Sequence, residues 1–256
     1  MDYFLIFSEG IHDQALLQKI LETAFDFKKF SGQVQKLDPF WRPLIANYPV
    51  GGNLYARVPF PSICLSSSIS VAIYVVEGDN LFEKIEAISK SFKPKFDQLK
   101  GCVFCGDAET QDPQKKFIFY KERLYPCLAN LPNQLGKISD LPPYQGIYFF
   151  PDNKFPGTLE DILLKCADCV CSDLKSGAEH YINHISSDRK AKWSKNDGKK
   201  ALVGCISNIL RPGKTNQVSI ANDDWVSKPT LVISELKSLI DFLSNLFQKS
   251  EVISPN

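Results

Sequence analysis

Acidic residues follow several apolar stretches of this sequence, directly after the point where each stretch ends. Glu9 follows FLIFS, Asp107 and Glu109 follow GCVFCG, Glu77 follows ISVAIYVV, and Asp152 follows YFFP. Neighbouring parallel strands end in one crevice, so we expect these carboxylates to converge there. Like charges raise one another's pKa unless a cation neutralises them, and hard oxygen ligands suit Mg²⁺ or Mn²⁺. The pattern therefore predicts a divalent metal site, with an ordinary set of polar loop acids as the alternative.

The helix after the first apolar stretch adds another acid to this set. Asp13 lies four residues after Glu9, one helical turn further along, and is expected to face the same edge. An alternative start of the acidic set is VVEGDNLFEKI, in which Glu77 and Gly78 also follow a predicted strand. The spacing of strand and helix fits better at the N-terminus, so we place the first acid at Glu9.

The periodicity of apolar residues predicts the elements that must hold these acids. Strands are predicted at 3–8, 69–76, 101–105 and 144–150, and helices follow the first three at 12–25, 80–92 and 112–124. Proline and glycine break the segment 28–68 into turns with short extended pieces. After residue 150 the pattern predicts only helices, at 157–171, 176–186, 190–210 and 230–248.

Strands that alternate with helices, followed by helices alone, predict an α/β fold. We expect a parallel sheet flanked by helices at residues 1–172, and a helical C-terminal region at 173–256 packed on it as one compact unit. A chain of 256 residues that is 44% hydrophobic can bury a substantial core. Its 30 basic and 29 acidic residues exclude a global positive field of the kind that marks nucleic-acid coat proteins.

The N-terminus MDYFLIFSEG lacks the basic start and the long apolar core of a signal peptide. No apolar run reaches the roughly 18 residues that a membrane-spanning helix needs. We therefore expect no membrane association and a cytoplasmic location. The eight cysteines should then be reduced and mostly buried.

A second set of residues has metal-ligand spacing. Cys166-x2-Cys169 precedes His180-x3-His184, which is close to the spacing of a zinc finger. The alternative is a helix that runs through both cysteines, with Cys166 facing the core and the histidines on the surface. Cys102 and Cys105 lie within a predicted strand, which favours core thiols over a redox pair.

Basic residues are concentrated in one segment near the C-terminal helices, around Trp193. This segment suits contacts with a phosphate backbone, and a solvated helix face is the alternative. The candidate nucleic-acid-binding residues are Arg189, Lys190, Lys192 and Lys195.

Two motifs resemble a known domain. The stretch S-E-G-x-x-D at residues 8–13 and G-D-x-E at residues 106–109 together resemble a Toprim domain, the metal-binding fold of topoisomerases, primases and overcoming-lysogenisation-defect nucleases. The stretch IYFFPDNKFPGTLEDILL at residues 147–164 is similar to a prokaryotic family of Toprim-related proteins of unknown function. This resemblance covers roughly residues 3–245.

The resemblance implies a set of site residues for one or two Mg²⁺ or Mn²⁺ ions. A first ion would bind Glu9, Asp13, Asp107 and Glu109, and a second would bind Glu160 and Asp161. Glu109 stands where the usual Asp-x-Asp motif has its second aspartate, and its side chain is longer by one methylene. The longer side chain would shift the metal, or Glu109 would bind the metal through a water molecule. Lys199 or Lys200 would stabilise transition-state charge, so the implied catalytic residues are Glu9, Asp107, Lys199 and Lys200.

Three functions are compatible with these implied residues. The first is a metal-dependent phosphodiester hydrolase, nuclease-like, that acts on nucleic acid. The second is a degenerate, non-catalytic Toprim-fold protein that serves as a binding or regulatory partner, which the altered motif and near-neutral charge favour. The third is a nucleotide phosphohydrolase. A Toprim domain without its own ATPase module also implies a separate ATPase-like protein partner.

Overall fold

Six strands form one mixed sheet in the computed structural model, which describes residues 1–46, 54, 60–76 and 78–249. The strand order is β2-β3-β4-β1-β5-β6, in which β4, β1, β5 and β6 are parallel and β2 and β3 are antiparallel additions at one edge. The strands are β1 (Asp2–Ser8), β2 (Lys28–Lys29), β3 (Ser62–Leu65), β4 (Ile69–Val75), β5 (Gly101–Asp107) and β6 (Tyr144–Phe150).

The register of the central strands decides where the acidic residues emerge. Ser8, the last residue of β1, pairs with Val75 of β4 on one side and with Cys105 of β5 on the other. Glu9 therefore leaves the sheet beside Gly106, one residue before Asp107. The apolar runs of β1 and β5 are buried on both faces, as expected for parallel strands covered by helices.

Helices cover both faces of the sheet. Buried residues of α1, α5 and α10 pack on one face, and those of α2 and α4 pack on the other together with the segment 37–44. The helices are α1 (Ile11–Phe25), α2 (Leu81–Ser91), α3 (Lys93–Phe96), α4 (Pro113–Leu124), α5 (Leu159–Val170), α6 (Ser172–His184), α7 (Ser187–Lys190), α8 (Asp197–Leu210), α9 (Asn216–Asn222) and α10 (Ser234–Gln248).

The α/β fold predicted from the sequence is confirmed, and the predicted sheet is corrected at one edge. The segment 28–68 supplies β2 and β3, which run antiparallel and make the sheet mixed. The division at residue 172 stays a prediction. Residues from both sides of it share one buried cluster, in which Leu163 of α5 and Leu239 of α10 both take part.

The predicted helix at 190–210 is wrong in its first part. The chain turns at 191–196 between α7 and α8, and the Ser194 N–H donates to Asp197 Oδ2 at 2.6 Å, which stabilises the start of α8. The short helix α9 was not predicted, because its seven residues carry too little periodicity. Tertiary contacts hold α9 in place, and Trp225 Nε1 donates to Ser219 Oγ at 2.9 Å.

None of the described helices has both the length and the apolar composition needed to cross a bilayer.

Candidate functional site

Glu9 lies where β1 ends, directly against the end of β5. Its Oε2 accepts the Asp107 N–H at 3.3 Å, and its own N–H donates to the Cys105 carbonyl at 3.3 Å. A side chain at Gly106 would not fit here, because a Cβ atom would lie 2.6 Å from Glu9 Oε2. The pKa of Glu9 is raised, chiefly by burial and also by the charge of Glu109, while Lys116 lowers it.

Asp13 is buried in the first turn of α1. Its Oδ2 accepts the Gly10 N–H at 2.9 Å, so this carboxylate also stabilises the start of the helix. The pKa of Asp13 is well above its usual value, first because of burial and then because of the negative charges of Asp107 and Glu9. Asp13 therefore faces the same group of acids as Glu9, as the sequence spacing predicts.

Asp107 connects the end of β5 to the start of α5. Its Oδ1 accepts the Leu159 N–H at 2.7 Å. The pKa of Asp107 is raised to about 8, chiefly by burial and then by the charge of Glu160, against the lowering effects of the Leu159 N–H and Lys116. A carboxyl group with such a pKa at a sheet edge is typical of functional sites.

Glu160, the second residue of α5, completes the group and is only 7% exposed. Its Oε2 is buried and accepts no hydrogen bond. The same is true of two neighbouring hydroxyls, Ser8 Oγ and Thr158 Oγ1, which precede the acids of β1 and α5. We name the four carboxylates the acidic cluster, which comprises Glu9, Asp13, Asp107 and Glu160.

Glu109 lies beside this cluster but in a different environment. It is exposed, its backbone is left-handed at a φ of 58°, and its N–H donates to the Gly157 carbonyl at 2.7 Å. Its charge raises the pKa of Glu9, so the carboxylate remains near the cluster. The structure thus places Glu109 at the rim of the acidic cluster, whereas Asp107 lies inside it.

Asp161 is held by partners of its own. Its Oδ2 accepts the Thr158 N–H at 2.9 Å at the start of α5, and its Oδ1 lies 2.7 Å from Lys199 Nζ of α8. One lysine of the Lys199-Lys200 pair therefore reaches the acidic edge of the sheet. Lys200 is exposed. Burial lowers the pKa of His12, and the positive charge of Lys200 lowers it further.

Two residues near the acidic cluster escaped the sequence analysis. His12 follows the Glu-Gly motif on α1 and interacts electrostatically with Glu160. Lys116 of α4 is 5% exposed, and its Nζ donates to the Asp107 carbonyl at 2.6 Å. A sequence signal for Lys116 exists in retrospect, because it falls one turn before Tyr120 on the buried side of an amphipathic helix.

Asp152, also at this edge, has a structural role. Its Oδ1 accepts the N–H groups of Lys154 and Phe155, both at 3.0 Å. Asn153 adopts a φ of 64° and accepts the Phe149 N–H at 2.7 Å. The resulting turn leaves Phe155 65% exposed, two residues before the Gly157 that bonds Glu109. Glu77, the alternative first acid, lies outside the described residues.

The acidic cluster fits a hard divalent cation in its donor atoms and its charge. All four side chains are carboxylates, and an unpartnered buried oxygen of Glu160 is among their donor atoms. Within the described part of the chain, no three histidine, cysteine or acidic side chains lie close enough together to hold a metal ion in this conformation. Coordination would therefore require rotation of side chains that now accept backbone hydrogen bonds, such as Glu9 and Asp13.

The predicted nucleic-acid-binding residues lie on α7 and in the turn that precedes α8. Arg189, Lys192 and Lys195 are exposed. Lys190 Nζ instead donates to the Ile182 carbonyl in the last turn of α6 at 3.2 Å. The segment leads into α8, whose Lys199 reaches Asp161 at the acidic edge. One helix therefore connects this segment to Asp161, next to Glu160 of the acidic cluster.

The cysteines and histidines form no zinc site in the described chain. Helix α5 runs through Cys166 and Cys169, which puts Cys166 in the core and leaves Cys169 exposed. The rings of His180 and His184 pack on each other at 4.2 Å on the surface of α6. Cys102 and Cys105 belong to buried clusters on opposite faces of the sheet, which confirms core thiols and excludes a redox pair.

Fold and site together define an α/β protein with a buried carboxylate cluster at the carboxyl ends of two central parallel strands. The chain belongs to the family described as "Protein of unknown function (DUF3226)", whose model matches residues 3–248. The predicted membership of a family of unknown function is confirmed, while the Toprim relationship stays a prediction.

A solved structure has a similar fold. It is a hypothetical protein from Pyrococcus horikoshii, 18% identical in sequence, with a TM-score of 0.55 over 99% of this chain and 100% of that chain. No curated protein matches the sequence.

Proposed function

We propose that this protein is a metal-dependent phosphodiester hydrolase of the Toprim type that acts on nucleic acid. The observation that carries the proposal is the acidic cluster, in which burial raises the pKa of Glu9, Asp13 and Asp107 and neighbouring carboxylates raise each of them further. Buried like charges cost stability, and a bound cation removes that cost. The Glu160 Oε2 of this cluster is buried without a hydrogen-bond partner, which leaves an oxygen free for a cation.

Glu9 and Asp107 would hold Mg²⁺ or Mn²⁺, with Asp13 and Glu160 behind them. The ion, when bound, supplies a polarised water and neutralises charge on the phosphate. The Leu159 N–H orients the Asp107 carboxylate through its 2.7 Å hydrogen bond. Lys199, at the rim, and Lys200, near His12, supply positive charge for the phosphate oxygens.

The surroundings of the cluster favour a polymer over a mononucleotide. Phe155 presents an exposed ring on a turn that Asp152 holds, and Lys154 is exposed beside it. Aromatic rings and lysines at the rim of a site suit stacked bases and backbone phosphates. The exposed cations Arg189, Lys192 and Lys195, which precede α8 in the chain, add positive charge that suits backbone phosphates.

Cleavage assays with metal titration test the proposal. Wild-type protein should bind Mn²⁺ in calorimetry. It should cut at least one of three substrates, single-stranded DNA, duplex DNA or RNA, and only with Mn²⁺ or Mg²⁺ present. Asp107→Asn should weaken Mn²⁺ binding by about 100-fold or more, because losing an outer partner of a metal ligand already costs about 10–100-fold. Glu122→Gln, an exposed acid on α4, is the matched control and should behave as wild type.

A non-catalytic binding or regulatory protein is the second candidate. The ion pair of Lys199 with Asp161 favours it, because it neutralises one acid that a second metal would need. Absence of Mn²⁺ binding in the wild type would establish this candidate over the first. Phosphate release from nucleotides with polymers left intact would point instead to a nucleotide phosphohydrolase. The separate ATPase-like partner and the cytoplasmic location stay predictions.

A further inference from the structure

A buried lysine lies beneath the acidic cluster. Lys116 is 5% exposed, and its Nζ donates to the Asp107 carbonyl at 2.6 Å. Its ammonium also lies 5.3 Å from the ring centroid of Tyr120 and 5.4 Å from that of Phe149. A lysine is seldom buried without charge partners, because removal of an ammonium from water is costly. The aromatic faces and one carbonyl supply only part of that compensation.

The position of Lys116 within its helix is also unfavourable by itself. It is the fourth residue of α4, in the first turn, where the helix dipole favours acids and opposes a cation. The charge of Lys116 acts on both Glu9 and Asp107, and lowers the pKa of each carboxyl against the effect of burial. The negative charges of Glu9 and Asp107 thus offset part of the cost of burying Lys116, and Lys116 in turn offsets part of theirs.

A second lysine occupies the other end of the acid set. Lys199 Nζ lies 2.7 Å from Asp161 Oδ1, next to Glu160 in α5. In the described structure each pair of acids that could hold its own ion therefore has an ammonium group nearby. A second divalent ion would bring two more positive charges next to these groups in a region of low dielectric constant, where like charges repel strongly.

We infer that Lys116 is the resident counter-cation of the acidic cluster and that, together with Lys199 at Asp161, it limits the site to one divalent ion rather than two. This inference rests on the proposed function for the presence of any ion. It assigns Lys116 as a positioning residue, which holds the Asp107 backbone and balances Glu9 and Asp107 when no metal is bound.

Calorimetric titration of the full chain with Mn²⁺ alone tests the inference. Wild-type protein should bind one ion per chain. Lys116→Met keeps the apolar stem of the side chain and removes the charge. It should bind Mn²⁺ more tightly by about tenfold, because a competing positive charge has been removed from the cluster. Lys115→Met removes the same charge from the exposed face of the same helical turn and should bind as wild type does.

Thermal unfolding separates this role from a merely structural one. Without metal, Lys116→Met should unfold at a lower temperature than wild type, and saturating Mn²⁺ should restore much of the difference. Equal destabilisation with and without Mn²⁺ would mean that the lysine only packs. If Lys116→Met does not fold, Lys116→Gln takes its place in both measurements. Glutamine removes the charge but keeps a hydrogen-bond donor for the Asp107 carbonyl.

The outcomes distinguish this inference from the function on which it rests. Two ions per wild-type chain, with metal-dependent cleavage intact, would overturn the inference and leave the proposed function standing. Unchanged or weaker Mn²⁺ binding by a folded Lys116→Met would also overturn it. A wild-type protein that binds no Mn²⁺ would overturn both.

Discussion

Two groups of acidic residues lie at the same edge of the sheet and differ in how their oxygens are satisfied. In the acidic cluster at the ends of β1 and β5, Asp107 has a pKa of about 8 and Glu160 has a buried oxygen without a partner. After β6, Asp152 accepts two backbone N–H groups, and Asp161 accepts one and pairs with Lys199. An acid at this edge is therefore a candidate for chemistry only where the fold leaves its oxygens short of hydrogen-bond and ion-pair partners.

The physical reason lies in what each group does for stability. Asp152 and Asp161 stabilise a turn and a helix start, as short polar side chains commonly do. The members of the acidic cluster repel one another in a buried place, so their presence lowers the stability of the metal-free fold. Groups that cost stability and cluster in one crevice are typical of binding and catalytic sites.

The largest expected effect is on the pH dependence of stability without metal. The folded-state pKa of Asp107 is about 8, above its usual value of 3.8, so the folded protein binds more protons than the unfolded chain between these values. Its contribution to stability is thus present below pH 4 and lost as the pH rises through about 8. The slope should approach about 1.4 kcal/mol per pH unit for this proton.

Chemical denaturation at several pH values, with EDTA present, measures this slope. Asp107→Asn should reduce the slope and raise stability at pH 8, since an amide carries no charge to bury. Asp152→Asn, from the satisfied group, is the matched control and should leave the slope as in wild type. If the slope of stability against pH were the same in Asp107→Asn as in wild type, the acidic cluster would not differ from the acids after β6 in its effect on stability.

A smaller effect is expected from Asp161→Asn. This substitution weakens the hydrogen bond to the Thr158 N–H and the ion pair with Lys199, and should destabilise the fold by about 1 kcal/mol. Mn²⁺ affinity should stay within about twofold of wild type, because Asp161 is occupied by its own partners. Denaturation and calorimetry on the same sample measure both quantities. A large loss of Mn²⁺ binding would instead show Asp161 to be a metal ligand.

The smallest effect is expected at the exposed cations near α8. Lys192→Ala combined with Lys195→Ala removes charges that have no part in the acidic edge, whereas Lys199 is held by Asp161. Affinity for a single-stranded oligonucleotide should fall severalfold, and the slope of log affinity against log salt should decrease by about 0.7 per lost phosphate contact. Fluorescence anisotropy at several salt concentrations measures this slope. An unchanged slope would mean that Lys192 and Lys195 make no phosphate contacts and only face solvent.

Much of the fold could be predicted because its strongest elements follow local patterns. The apolar runs of β1, β4, β5 and β6 are long, and the helices after the first three have clear periodicity, so each was found near its observed bounds. The turn at 191–196 was missed because helix-forming residues surround it, and the Asp197 carboxylate decides its position. The short strands β2 and β3 depend on pairing with β4, which no local pattern contains.

For the candidate site, the sequence by itself determined which acids follow the strands, and parallel order is enough to bring Glu9 and Asp107 to one edge. Only the tertiary structure decided which acids lack a full set of partners, because hydrogen bonds and ion pairs come from elements far apart in sequence. The Leu159 N–H on Asp107 and Lys199 on Asp161 are such contacts. The hydrogen bond from Lys116 to the Asp107 carbonyl is another, since packing of α4 on the sheet brings these two residues together.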